Sequence, residues 1–443
     1  LVRRVERIRK CVVIFIFLLK ISNTIINNKS FFQNMRLLII GTHPSQTTGY
    51  SKVMYNLCKQ FGILAKNLDV TVFGIQKFTE VNDNIRNDLS DNIHLWDVYA
   101  NDKDDFGFGS KSIQSFVTIN NPDVVMVYND AEVIKKYIMN LKIAQEQTKG
   151  MKLNFKIVAY LDQVHRNSNP ETIRYIAENT AHVFCFTEFW RQNYLSFFND
   201  KEKTFYTPKS SVVRHGIEKP QSYYTDVENF AKFKKDLNLP SDSFIFLNLN
   251  RYALKKRLDI SIQAFVKFLK NTNADNAYLF FPAVIDKTID NLKQIYLYEL
   301  KQNNLSKYYD RLIVRNTQIS DEDVQKIYGL CEVGLNTCDG EGFGLCNYEH
   351  ASYGRPQIVS KVGGLQDYFN DSNCLLCIPK YVSYSTDMER GEVVDVNDVA
   401  EKMQKYYTTR SLYNKHSNIL TEIPSKYLWK EEAQKMLDVL FSM

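Results

Sequence analysis

Glu341 and Glu349 stand eight residues apart in the run Cys338-Asp339-Gly340-Glu341-Gly342-Phe343-Gly344-Leu345-Cys346-Asn347-Tyr348-Glu349, and Gly363-Gly364 follow. Carboxylates accept hydrogen bonds from sugar hydroxyls, and glycines let backbone N–H groups approach phosphates closely. One stretch could therefore hold both ends of a nucleotide sugar. Taken alone, the pair would also suit the acid and base of a glycosidase. Upstream, Arg251 and Lys256 lie in Asn250-Arg251-Tyr-Ala-Leu-Lys255-Lys256-Arg257-Leu258-Asp259. Two cations after a strand could neutralise a diphosphate. The alternative is a solvated basic turn, and the acidic glycine-rich run downstream weighs against it.

Other candidates are looser. Gly41-Thr42-His43-Pro44-Ser45-Gln46-Thr47-Thr48-Gly49-Tyr50-Ser51-Lys52 follows an apolar run and precedes a helical pattern. It matches neither G-x-G-x-x-G nor a Walker A loop. A loop at a helix N-terminus still suits an anionic or polar ligand, with a plain βα connection as the equal alternative. His165 follows Ile157-Val-Ala-Tyr-Leu-Asp162-Gln163-Val164, where a strand's carboxyl end is placed for site chemistry. His215 in Val212-Val213-Arg214-His215-Gly216-Ile217 reads as structural. Asp102, Asp104 and Asp105 read as a loop, and Asp321, Glu322 and Asp323 as a helix start; neither run spells a metal cluster. No nucleophile elbow of the Ser/His/Asp kind is present.

These groups need a frame. Short apolar runs at 37–41, 70–75, 124–128, 157–161 and 183–186 alternate with longer amphipathic stretches. A second series runs through 244–249, 278–281, 312–314, 333–335 and 358–359. Near-continuous apolar runs of this length predict parallel strands covered on both faces. Helical patterns at 258–269 and 324–330 lie between them, the latter opened by Ser320 as N-cap with an acid, Asp323, at N3. The alternation predicts an α/β fold with right-handed crossovers. The polar stretch 219–243, with Pro220 and Pro240, separates the two series and marks a domain boundary. Ligands in such sheets bind at the carboxyl ends of the strands, so the site is expected in the cleft between the domains. Residues 427–440 predict a final amphipathic helix.

The chain has 443 residues, 44% of them hydrophobic, enough for two ordinary domains. Its net charge of +6 is misleading. Residues 1–34 hold seven of the 56 basic residues and one of the 50 acids, which leaves 35–443 balanced and without the basic excess of a general nucleic-acid binder. The same 34 residues carry the run Cys11-Val-Val-Ile-Phe-Ile-Phe-Leu-Leu19, too short to span a bilayer, where about 20 residues are needed. No small-residue cleavage site follows it. Residues 1–34 are expected to be an extension translated from upstream of the usual start, or a peripheral membrane tether. The cysteines are scattered among apolar residues, which suits reduced thiols in the cytoplasm. Cys374-Leu-Leu-Cys377 is a lone pair and is expected to be structural rather than a zinc site.

Arg251-x4-Lys256, Glu341-x7-Glu349 and Gly363-Gly364 together resemble the C-terminal half of the retaining GT-B glycosyltransferases of the family-4 type (glycosyl transferases group 1). Residues 258–265 resemble the helix after the Arg/Lys pair, 354–360 the strand entry after the Glu pair, and 212–217 the end of the first domain. The resemblance covers about 35–443 and is strongest in the second half. It implies two Rossmann-like domains facing across a cleft: an acceptor-side domain at 35–218 and a nucleotide-sugar domain at 219–425. A C-terminal helix, 426–443, would return to the first domain.

The resemblance also implies roles. Arg251 and Lys256 would hold the donor diphosphate and stabilise its leaving charge. Glu349 would accept from ribose hydroxyls, and Glu341 would bind hydroxyls of the transferred sugar. Backbone amides near Phe343, Gly344 and Leu345 would meet phosphates or sugar. Arg315 and Asn316 lie where the family contacts the base. His165 loosely matches a histidine near the reacting centre. Gly49 stands where the family often has two glycines, the first here being Thr48. The implied reaction is a retaining, metal-independent transfer from a UDP-sugar, or second a GDP-sugar, to a glycan, lipid or protein acceptor. The departing phosphate oxygen would take the acceptor proton, and no cofactor beyond the donor substrate would be needed. An epimerase or hydrolase using the same pocket, or a catalytically silent sugar-nucleotide binder, are the rival readings. A cytoplasmic location, or a peripheral one at a membrane surface, is expected.

Overall fold

A computed structural model describes residues 35–77, 85–101, 105–147, 153–283, 288–315, 319–385 and 389–443. Expectations about residues 1–34 and Asn316 fall outside the described residues.

Seven strands form the first sheet: β1 (Met35–Thr42), β2 (Leu68–Ile75), β3 (Ile93–Asp97), β4 (Val124–Asp130), β5 (Lys156–Asp162), β6 (His182–Cys185) and β7 (Ser210–Val212). Their spatial order is β3-β2-β1-β4-β5-β6-β7, and every pairing is parallel. Six more make the second sheet: β8 (Phe244–Leu247), β9 (Ala277–Phe281), β10 (Leu312–Val314), β11 (Val333–Asn336), β12 (Gln357–Ser360) and β13 (Leu375–Cys377). Their order is β10-β9-β8-β11-β12-β13, again all parallel. The central strands are buried along nearly their whole length, such as Leu37–Thr42 and Ala277–Phe281. That is why their sequence runs are continuously apolar rather than alternating. In each sheet the strand order reverses once, at β1/β4 and at β8/β11. These are the crevices where open α/β sheets bind ligands.

Six helices position the cleft and its contacts: α1 (Gly49–Leu64), α2 (Glu188–Ser196), α3 (Leu258–Thr272), α4 (Asp321–Leu330), α5 (Leu345–Ser352) and α6 (Trp429–Phe441). Ser320 caps α4 as expected, its hydroxyl accepting from Asp323 N at 3.0 Å. Thr48 caps α1 reciprocally with Ser51: each backbone N–H donates to the other's hydroxyl, at 2.9 and 3.2 Å. The terminal helix α6 returns to the first unit. Trp429, Ala433, Met436, Leu437 and Leu440 join the buried cluster of Leu37, Ile39, Val53, Leu57 and Phe61. The Leu and Met side chains among them contribute roughly 1.5–3 kcal/mol each on burial. The outgoing and returning chains touch at the crossover, where Ile217 N donates to Tyr427 O at 2.7 Å. Gly216 is needed there, because a Cβ would fall 2.3 Å from the Trp429 backbone.

Strands β3, β7 and β13 and a hairpin, β14 (Pro379–Tyr384) with β15 (Arg390–Val394), lie outside the ten strands read from the sequence. β3 is an edge strand whose Leu95 and Trp96 are exposed, so it carries no continuous apolar run. The hairpin belongs to neither large sheet, and most of β14 faces solvent. Cys374 and Cys377 are buried free thiols at β13, in keeping with a structural role. Among the described residues, no helix is long and apolar enough to cross a membrane.

Candidate active site

β8 and β11 are hydrogen-bonded neighbours, so the loops that leave their carboxyl ends must meet. The loop after β8 ends in a short turn, Leu254–Lys256, and Arg257 then takes φ +47 to enter α3. The loop after β11 carries residues 337–344. Asp339 N donates to Lys255 O at 2.9 Å, and Thr337 Oγ1 to Arg257 O at 2.8 Å, stitching the loops together. Lys256 Nζ then lies 2.6 Å from Glu341 Oε2, and Asn336 Nδ2 donates to the same oxygen at 3.3 Å. Burial works against both charges, yet their attraction outweighs it: Lys256 is held above its usual pKa and Glu341 below its own. Both side chains are only about one-eighth exposed, which keeps the pair poorly screened. Behind it runs a buried amide chain. Asn336 Nδ2 donates to Asn347 Oδ1 at 2.8 Å, and Asn347 Nδ2 to Gln357 Oε1 at 2.9 Å.

Glycines shape the loop. Gly344 has φ +87 and caps α5. Gly364 N donates to Glu341 O at 2.9 Å, and a Cβ on Gly364 would fall 2.0 Å from Gly342 O. Gly363 and Gly364 thus allow one backbone to lie against another. This differs from the phosphate approach read from the sequence, because the Gly364 amide is already taken by Glu341 O.

The first unit closes over this loop at three places. Trp190 of α2 donates Nε1–H to Gly342 O at 2.7 Å and to Glu341 O at 3.2 Å. Lys52 of α1 places Nζ 2.6 Å from Glu349 Oε1, while Tyr328 OH of α4 donates to Glu349 Oε2 at 2.9 Å. Arg86 makes a bidentate pair with Asp321, at 2.9 and 3.0 Å, and donates to Pro44 O and Gln46 O in the loop after β1. A cavity of about 190 Å³ remains here, lined by Lys52, Asn56, Glu218, Asp321, Tyr328 and Glu349 among others.

His165 lies at the third place, with Nε2 3.3 Å from Asp339 Oδ1 and Nδ1 3.1 Å from Glu389 Oε2. Its partners belong to the second unit, and the hairpin supports them. Ser383 Oγ donates to Asp339 Oδ2 at 3.0 Å, and Arg390 N donates to Asn167 Oδ1 at 2.8 Å. A Cβ on Gly340 would meet the His165 ring at 2.5 Å. Near it, Tyr50 OH donates to Asp162 Oδ2.

The structure brings Lys256, Glu341, Glu349 and His165 to one cleft. Phe343 lies in the loop after β11, and its ring is core, 4.4 Å from Tyr348 and 4.6 Å from His215. Gly344 and Leu345 form the N-terminus of α5, where backbone amides lack intrahelical partners. Gly49 is exposed in the first turn of α1, with open space where a side chain would be. Arg251 is exposed on the loop after β8, and Arg315 is exposed at the end of β10. Lys52, Trp190, Tyr328, Asn336, Asp339 and Asp162 were not assigned roles from the sequence. Lys52 and Asp162 stood within strand-end segments already singled out, so position was a signal; their partners were not visible. His215 is buried among Tyr128, Tyr160, Phe186, Phe343 and Trp429, in line with its structural reading. Among the described residues, no three His, Cys, Asp or Glu side chains converge as metal ligands would.

Residues 229–415 match the family described as Glycosyl transferases group 1. Alpha-1,3/1,6-mannosyltransferase ALG2 of Mus musculus is 28% identical over 159 residues, covering 35% of this chain and 38% of that protein. Its counterpart in Dictyostelium discoideum is 28% identical over 147 residues, covering 31% and 34%. The matched segment thus spans little more than a third of those relatives' length. Anabaena Alr3699/HepE, solved in complex with UDP and glucose, superposes with a TM-score of 0.67 at 13% identity, covering 92% of this chain and all of that one. Sucrose-phosphate synthase from Thermosynechococcus elongatus superposes at 0.68 with 16% identity, covering 92% and 98%. The chain has the GT-B fold, and its second unit is a glycosyl transferases group 1 domain.

Proposed function

We propose that this protein is a retaining, metal-independent glycosyltransferase that moves a sugar from a nucleoside-diphosphate sugar to a glycan, lipid or protein acceptor. One observation carries the reading: Lys256 and Glu341 are paired at the β8/β11 crevice, with Glu349 on the helix that follows. A cation beside two hydroxyl-accepting carboxylates, with a helix N-terminus between them, suits a diphosphate flanked by a sugar and a ribose. Lys256 and Arg251 stabilise the charge on the departing diphosphate. Glu341 holds hydroxyls of the transferred sugar, and Glu349 those of the ribose. His165 approaches the donor sugar from the other wall. Domain closure excludes water and limits hydrolysis.

A UDP-sugar is the first donor reading, supported by the fold's likeness to a protein solved with UDP-glucose. A GDP-sugar is the second, and relatives described as mannosyltransferases favour mannose as the sugar. An epimerase or hydrolase would use the same donor pocket and is separated by product analysis.

The test is nucleotide release by the full chain from UDP-glucose, UDP-N-acetylglucosamine and GDP-mannose, with and without EDTA. Neither binding nor turnover across that panel would sink the reading. Activity lost in EDTA would defeat its metal-independent part alone.

A further inference from the structure

We propose that the groove between the edge of the first sheet and the short helix Ile113–Asn120 binds an alkyl chain, and that the chain belongs to an amphiphilic acceptor. The alkyl site stands on the first unit alone. Its use for the acceptor rests on the glycosyltransferase reading and narrows the acceptor class.

The groove exists because one helix is short. β2 has eight residues, and so has the helix Ile113–Asn120. A strand rises about 3.3 Å per residue and a helix about 1.5 Å, so the helix covers roughly half the strand. Ile113 and Val117 are buried in the core beside Phe73, while Ser115, Phe116, Ile119 and Asn120 border the gap. Asp69, Thr71 and Phe73 line the same face of β2, and the register sets His94 of β3 beside Thr71 and Trp96 beside Phe73. Together these side chains enclose a cavity of about 600 Å³, within the range of ligand pockets, about 300–1,000 Å³.

The lining selects the ligand. Phe73 and Phe116 meet edge to face with ring centroids 5.0 Å apart, and Trp96 lies 5.4 Å from Phe116. Ile119 is 82% exposed and Trp96 42%. Apolar side chains left open around a cavity mark an interaction site. The titratable groups of the lining, Asp69 and His94, face each other at 3.0 Å near the amino end of the strands. The rest offers no charge to hold a phosphate or an ammonium. Aliphatic Val98 and Ile119 beside the rings suit a run of methylenes, whereas they would leave a sugar's hydroxyls without partners. The open surface is far smaller than the roughly 800 Å² that each partner buries in a stable complex, so the groove fits a chain rather than a folded protein.

Its place suits the acceptor. Val98 and Asn101 follow the carboxyl end of β3, at the edge of the sheet whose strand ends face the cleft. Four strand spacings of about 4.8 Å separate β3 from β5, where Asp162 meets the donor loop, or roughly 19 Å in all. An amphiphile held by its chain therefore needs a head of several linked sugars to bring a hydroxyl to the donor.

Trp96 is a local reporter, because the other two tryptophans, Trp190 and Trp429, are buried. The full chain is titrated with dodecyl maltoside brominated on its alkyl chain, below the micelle concentration, and tryptophan fluorescence is followed. Quenching is expected, and it should vanish in Trp96→Phe and with maltose alone. As a competitor, decyl maltoside should bind roughly tenfold more weakly than dodecyl maltoside, for two fewer buried methylenes. Ile119→Asp, at an exposed position that spares the core, should weaken the probe at least about tenfold by setting a charge against the chain. Calorimetry should find its UDP and GDP affinities within about twofold of wild type, the sites being distant. With UDP-glucose and GDP-mannose as donors, dodecyl mannotrioside should show a KM at least about tenfold below that of mannotriose, an advantage that Ile119→Asp removes with kcat unchanged.

No quenching would overturn the alkyl site, and sedimentation would then show whether a second copy covers the groove. Quenching that survives Trp96→Phe or Ile119→Asp would overturn it too. Transfer to dodecyl mannotrioside that is absent, or no better than to mannotriose, would overturn the acceptor role. Quenching of the expected pattern in a protein that binds neither UDP nor GDP would leave the alkyl site standing and bring down the glycosyltransferase reading.

Discussion

Lys52 Nζ lies 2.6 Å from Glu349 Oε1, so an ammonium from the first unit occupies one of the oxygens that a ribose would use in the second. Burial pulls the Lys52 ammonium down, but Glu349, Asp321 and Glu218 outweigh it and hold it above its ordinary pKa. With Arg86–Asp321 beside it, the pair joins the two units across this side of the cleft. If Glu349 receives the ribose as proposed, a donor has to displace this contact, and its apparent affinity falls with the fraction of molecules that are open.

Lys52→Met should therefore tighten UDP or GDP binding by about three- to tenfold, read by calorimetry. It should also lower the stability of the free protein by roughly 2–4 kcal/mol, because Glu349 is left buried without its cation. Nucleotide should restore much of that loss. Unchanged affinity would mean that Lys52 does not compete with the donor.

Glu349→Ala should weaken nucleotide binding by about 1–3 kcal/mol, through hydroxyls left without an acceptor. Lys256→Ala should act differently, lowering kcat by at least about 100-fold with a smaller effect on binding. Steady-state kinetics beside calorimetry separates the two. A wild-type rate in Lys256→Ala would contradict its assigned role.

Gly342→Ala should keep the fold and lose turnover. The added methyl meets Asp162 Oδ1 at 2.2 Å, across the domain boundary rather than within either core. The domains should part, seen as a larger radius of gyration in solution scattering, and kcat should fall at least about tenfold. Normal kinetics in this variant would show that the walls need not touch.

Acid should destabilise the protein from about pH 6.5 downward. His215 and His350 are buried, and burial lowers both to about 3. Between the unfolded value and 3 the unfolded chain binds protons that the folded chain does not, so stability falls as pH falls, by up to about 1.4 kcal/mol per unit for each histidine. Asp162 has the opposite sign: its raised value is a penalty that builds from the unfolded value near 4 and is complete above about 6. Urea midpoints from pH 7 to 4.5 should flatten in His215→Phe, whose ring nitrogens have no hydrogen-bond partner to lose. An unchanged slope would contradict this.

Both sheets could be read from the chain because their strands are buried on both faces, so periodicity and apolarity coincide. The hairpin β14–β15 could not. Lys380, Tyr381 and Val382 are consecutive and exposed, so no face is set apart for a core. Its role is tertiary: Ser383 and Glu389 reach Asp339 and His165. Lys256 and Glu341 were legible as candidates because each follows an apolar run at a strand's carboxyl end; that their strands are neighbours, so that the two side chains pair, is a result of the topology. Gly363 and Gly364 have a packing use that the sequence did not show: a Cβ on either would meet the Glu341 or Gly342 carbonyl.

By itself the sequence determined two series of buried strands, a polar stretch between them, a final amphipathic helix, and cations and carboxylates that follow two of those strands. These follow from local periodicity and apolarity, both short-range consequences of residue order. Only the tertiary structure decided which groups cross the cleft. Lys52 to Glu349, His165 between Asp339 and Glu389, and Asp162 against Gly342 each join residues far apart in the chain. Their pairing depends on the relative orientation of two domains, which burial of α6 against the first unit and closure over the donor loop impose together.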